Sequence, residues 1–100
     1  MDEKPKRRAR SQHVEISLAG IQDKDALHNL LAARLGFPQY YGKNWDAFWD
    51  AIGDAMPERL TFRNWSDLES VLPHEAKMLA KCLADLEKDF QELRGAVEYL

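Results

Sequence analysis

Apolar and polar positions change rhythm several times along the chain. Val14, Ile16 and Leu18 alternate with Glu15 and Ser17, the two-residue period of a strand with one buried face, and Gly20 punctuates its end. Leu27, Leu30, Leu31 and Leu35 then recur at helical spacing, predicting a helix capped by Asp23 or Asp25 and stopped at Gly36, with Pro38 confirming the break. The loop from Gln39 to Asn44, QYYGKN, leads into a second helix from about Asn44 to Met56; Pro57 forces Met56 toward extended geometry and closes it. Leu60–Arg63 reads as a second short strand and Trp65–Leu72 as a short helix ending at Pro73. A long helix is predicted from about His74 to Leu93, with Leu79, Leu83, Leu86, Phe90 and Leu93 along one stripe. Gly95 is its C-cap candidate, and Ala96–Leu100 can make a last strand. Strands separated by helices predict an α/β layer with parallel pairing, because parallel neighbours need such crossovers.

The second helix carries the most information. Stepping about 100° per residue from Trp45 gathers Ala55, Phe48, Ile52, Trp45, Met56 and Trp49 into one apolar stripe. Asp46, Asp50, Asp54 and Glu58 fall on the opposite face at spacings of four, and no Lys or Arg lies between Asn44 and Glu58. Like charges at i,i+4 cost about 0.2–0.5 kcal/mol per pair, and aspartate is a poor interior helix former. The helix dipole favours Asp46 in the first turn but offers nothing comparable to Asp50 or Asp54. A solvated acidic face is the simplest explanation, yet surfaces chosen for solubility usually mix lysine with glutamate. A carboxylate row without counterions is better explained by a cationic partner arriving from outside. Tyr40 and Tyr41 precede the helix beside Gly42 and Asn44, residues that readily adopt turn conformations. With Trp49 at the edge of the stripe, these aromatics have the composition of a protein-binding hot spot. Trp45 and Tyr41 are expected to point inward, Trp49 and Tyr40 outward.

Composition narrows the class. The chain has 100 residues, enough for one domain with a modest core, and its hydrophobic (45%) and charged (31%) fractions are those of a globular protein. No apolar run approaches the roughly 18 residues of a membrane span, and no apolar stretch of a secretory signal follows the N-terminal charges. Cys82 is the one cysteine, which excludes an internal disulfide and suits a reducing cytoplasm. The net charge of −3 is uneven: residues 1–10 hold five basic side chains against two acids, and residues 11–100 hold nine against fifteen. The expected organisation is a disordered basic tail over 1–12 and a folded acidic domain over 13–100. Such a body repels nucleic acid and suits a basic protein partner.

The segment Phe37 to Asp50, FPQYYGKNWDAFWD, closely resembles the central motif of the barstar family, a P-x-Y-Y-G-x-N-x-D-A-x-W-D run, without a gap. Leu60 to Leu68, LTFRNWSDL, is similar to that family's second strand and third helix. The resemblance covers about residues 13–95, strongest in the centre and loose in the last third. It implies a three-stranded parallel sheet flanked by about four helices. It also implies intracellular inhibition of a ribonuclease whose active site is plugged by the acidic helix and preceding loop. By position, Asp50 would be the central anion, standing where RNA phosphate binds. Asp46 would pair with the enzyme's basic residues, and Tyr40, Gly42, Asn44 and Trp49 would surround them. Asp54 joins this partner-binding set from the carboxylate row, although Asp54 and Ala55 replace the glycine and tryptophan of the family type. A glutamate of the family's last helix has its counterpart in an ambiguous register around Glu87 and Lys88.

Other readings remain open on the residues. Asp46 and Asp50 could serve as a carboxylate pair for acid–base work or Mg²⁺. Against this, the chain has no Gly-rich phosphate loop, no H-E-x-x-H and no Cys-x-x-Cys, and His13, His28 and His74 lack ligand spacing. No catalytic residue, metal or cofactor is therefore expected. His28 and His74 read as structural, and Cys82 as a buried small hydrophobe. The acidic face would equally serve a 1:1 complex with a basic nuclease toxin domain unrelated to barnase-type ribonucleases. RNA attraction would rest on Lys6, Arg7, Arg8 and Arg10 of the tail alone.

Overall fold

The computed structural model describes residues 13–100, so the expected tail over 1–12 lies outside the described residues. The order is β1 (His13–Ser17), α1 (Lys24–Leu35), α2 (Trp45–Ala55), β2 (Arg59–Arg63), α3 (Trp65–Val71), α4 (Pro73–Asp89), a 3₁₀ turn (Gln91–Leu93) and β3 (Val97–Tyr99). The three strands form one parallel sheet in the order β1-β2-β3. This is the three-stranded parallel α/β architecture with four helices that the sequence predicts.

Register separates the two faces of the sheet. Val14, Leu60 and Val97 align across it, as do Ile16, Phe62 and Tyr99. On this face Ile16, Leu60 and Phe62 are fully buried, packed with Leu27 and Leu31 of α1, Phe48 and Ile52 of α2, Leu68 of α3 and Leu79 and Leu83 of α4. The other face carries Glu15, Thr61 and Glu98 in one row and remains polar. Thr61 is nevertheless buried, its hydroxyl 2.8 Å from His13 Nε2 and donating to Glu98 at 3.4 Å, while Arg63 pairs with Glu15. Parallel sheets are usually covered on both faces; among the described residues, cross-strand polar contacts take the place of a second layer of helices.

The element ends follow local chemistry. Asp23, rather than Asp25, caps α1 by accepting from the Ala26 N–H at 2.8 Å, and Gly36 ends it in the left-handed region (φ 73°). Pro57 stops α2 at Met56, so Glu58 falls off the helix and three carboxylates remain in the row. The largest departure lies at the end of α4. The predicted continuous helix to Leu93 stops at Asp89, Phe90 is extended and 43% exposed, and a 3₁₀ turn then buries Leu93. The chain must reverse there to lay Val97 beside Leu60, and the tighter turn keeps Leu93 on the core side.

Phe62→Ala should cost about 3–5 kcal/mol in urea unfolding, because the fully buried ring leaves a cavity between sheet and helices. Phe90→Ala, on the stripe that the sequence draws through Leu86 and Leu93, should change stability by less than about 0.5 kcal/mol, because the ring is exposed.

Candidate functional site

Phe48, Ile52 and Met56 are fully buried on one side of α2. Asp46, Asp50 and Asp54 are exposed on the other. Burial of three such side chains is worth roughly 1.5–3 kcal/mol each, which outweighs about 0.2–0.5 kcal/mol for each pair of like charges. The core thus fixes the rotation of the helix and turns its acids outward. Among the described residues, no Lys or Arg forms an ion pair with Asp46 or Asp50.

Asn44 shapes the start of the helix with both ends of its amide. Its Oδ1 accepts from the Ala47 N–H at 2.8 Å as N-cap, and its Nδ2 donates to the Gly42 carbonyl at 3.3 Å. A Cβ on Gly42 would lie 3.3 Å from that Nδ2 and 3.5 Å from Ala47 Cβ, so a side chain there would press on the capping amide and shift it by a few tenths of an ångström. Lys43, between them, takes the left-handed conformation (φ 55°). Gly42 and Asn44 therefore build the turn that leads into α2.

The loop is held down by aromatic contacts. Tyr41 packs at 4.9 Å on Phe37, its amide donates to the Pro38 carbonyl, and its hydroxyl lies 2.6 Å from His28 Nδ1. Burial raises the Tyr41 phenol well above its ordinary 10. Tyr40 beside it is 88% exposed. The expected split of the two tyrosines is what the structure shows. The two tryptophans do not split: Trp45 and Trp49 are both half-buried against the core, so Trp49 is not the outward residue expected. Its position at the margin of the apolar stripe lets the ring reach the core from the edge of α2. Trp45 Nε1 donates to Glu75 Oε1 of α4 at 2.8 Å.

Between loop and helix lies an open groove of about 630 Å³. One wall is Leu35–Pro38 with Tyr40–Gly42; the other is Ala47, Asp50, Ala51, Asp54 and Ala55. Asp54 and Ala55 lie inside the last turn of α2, and both line this groove. Asp46, Asn44 and Trp49 are not among its lining residues. The structure thus brings Tyr40, Gly42, Asp50 and Asp54 together at one concavity and leaves Asp46 and Trp49 on the adjoining flank. Ala47 and Ala51 were not singled out from the sequence, although with Ala55 their spacing of four marks a row of small residues beside the acids.

Two further residues, Glu87, whose register the sequence leaves open, and Cys82, which was expected to be buried, lie outside the groove. Glu87 accepts from the Val97 N–H at 3.4 Å, at the start of β3. Its charge, after burial, helps push the Tyr99 phenol up to about 12. Cys82 is half-buried rather than buried, and desolvation raises its thiol.

The sequence matches the family described as Barstar (barnase inhibitor) over residues 11–99. The chain belongs to that family. It is also 27% identical over 74 residues, 72% of this chain and 81% of the other, to a Bacillus subtilis (strain 168) protein named "Putative ribonuclease inhibitor YrdF". Within this barstar-family fold, the motif residues Tyr40 to Asp50 occupy the loop and first half of α2, and the Asp54–Ala55 departure occupies the groove.

Asn44→Ala should destabilise the protein by about 1 kcal/mol in denaturant titration through loss of the cap. The Ala47 amide, its bonded partner, should exchange faster than the Ala26 amide capped by Asp23.

Proposed function

We propose that this protein inhibits a microbial ribonuclease in the cytoplasm, one inhibitor to one enzyme, without catalysing a reaction itself. The observation that carries the reading is Asp50: an exposed carboxylate, unpaired by any described cation, at the edge of a groove beside the exposed Tyr40. Family membership and the name of the Bacillus relative support an inhibitor role.

The mechanism follows from charge. A ribonuclease holds RNA phosphates with cationic side chains, and arginine grips a carboxylate with the same pair of parallel N–H bonds. Asp50 enters that phosphate site, and Asp46 and Asp54 on either side meet the surrounding basic residues. Tyr40, Gly42 and Asn44 supply the rim, and Trp49 borders it from the adjoining flank of the helix. No cofactor or metal is required. The acidic body also attracts a basic enzyme before contact, which raises the association rate at low salt.

The test is suppression of RNA cleavage by a guanyl-specific microbial ribonuclease at near-stoichiometric ratio. Asp50→Ala should weaken inhibition by about a hundredfold or more, since it strands buried enzyme cations without their partner. Added salt should slow association. Equal inhibition by Asp50→Ala would end the acidic-plug mechanism. If several such enzymes are untouched by wild type, the partner is instead another basic toxin domain, read by the altered groove at Asp54 and Ala55.

A further inference from the structure

His28 takes no part in the acidic face, yet it is fully buried and joins the elements that build that face. From α1, its Nδ1 meets the Tyr41 hydroxyl at 2.6 Å. Its ring lies 4.5 Å from Trp45, the first residue of α2. Trp45 in turn is tied to Glu75 of α4 at 2.8 Å. Among the described residues, His28 Nε2 has no hydrogen-bond partner. A buried polar atom left without a partner is costly, and an apolar residue would fill the same space without that cost. Tyr41 lies between Tyr40 and Gly42, so whatever holds its hydroxyl also holds the loop that presents Tyr40 to the groove.

We propose that His28 is a positioning residue for the contact surface: neutral, it holds Tyr41 and Trp45, and with them the Tyr40 loop, in the partner-ready arrangement, and its protonation releases that arrangement. The geometry stands by itself; its meaning for inhibition rests on the proposed inhibitor role. Whichever nitrogen carries the proton in the neutral ring, a second proton creates a buried cation with one hydroxyl partner and one unpartnered N–H. Glu75, the carboxylate that most favours that proton, already accepts from the Trp45 indole. Burial lowers the His28 pKa from its ordinary 6.5, and the charges around it divide. Glu75 of α4 and Asp25 of α1 favour the proton, whereas Lys24 of α1 and Lys43 of the loop oppose it. Cys82 of α4 adds to the environment of Tyr41. Because the folded-state pKa lies below the unfolded one, the contribution of His28 is complete above pH 6.5 and is lost as pH falls below that value.

The experiment is an NMR titration of the full chain from about pH 8 to pH 5, with ribonuclease inhibition measured in parallel at constant salt. Relative to their intrinsic exchange rates, the Trp45 indole N–H and the Tyr41 amide should lose protection as His28 titrates, while the Leu60 amide of β2, bonded to the Ala96 carbonyl, stays protected. Inhibition should fall by up to about tenfold per pH unit below the His28 midpoint, beyond the fall shown by His28→Gln. Tyr41→Phe, which keeps the ring packing and removes the hydroxyl, should show the faster loop exchange already at pH 8. Loop and sheet amides opening together would overturn the proposal, as would one shared pH profile for wild type and His28→Gln, or a fully protected loop in Tyr41→Phe. If wild type inhibits no ribonuclease but loop exchange still follows His28, the positioning is supported and the inhibitor reading is removed.

Discussion

The burial of Phe48, Ile52 and Met56 beneath α2 is the interaction on which the rest of the molecule depends. A helix with Asp46, Asp50 and Asp54 in one row and no cation of its own gains little from local energetics beyond the dipole at Asp46. It forms because several kilocalories of apolar burial on the opposite face outweigh the repulsion. The same burial determines which way the carboxylates point. Display of charge and stability of the fold are thus two consequences of one packed stripe.

Presentation also needs a rigid approach to the helix. Asn44 bonds forward to Ala47 and back to Gly42, and Tyr41 reaches across to His28. A surface held in this way loses little conformational freedom when a partner docks, so more of the contact energy appears as affinity. The exposed Tyr40 beside the anchored Tyr41 shows how two like residues divide these tasks.

The sheet supports this from one side only. All four helices contribute to the core on the face of Ile16, Leu60 and Phe62, and the row of Glu15, Thr61 and Glu98 is left to polar contacts. That asymmetry was legible in the sequence, because apolar and polar residues alternate strictly in β1 and β2. The ends of elements were legible where chemistry punctuates them, as at Gly36 and Pro57. The end of α4 was not: no glycine or proline marks Phe90, and a 3₁₀ turn returns Leu93 to the side that a continued helix would also have buried.

Taken alone, the sequence determined the acidic row opposite an apolar stripe, the turn chemistry before it and the motif from Phe37 to Asp50 that marks the barstar family. These are local properties, set by residues within a few positions of one another. Only the tertiary structure decided that Trp49 leans on the core with Trp45, that Asp50 and Asp54 share a groove with Tyr40, and that Glu87 meets the start of β3. It alone joined His28 to Tyr41 and Trp45 to Glu75, thirteen and thirty positions apart. The reason is physical: periodicity reports which face of an element is apolar, whereas the partner of each side chain on that face depends on how separate elements pack together.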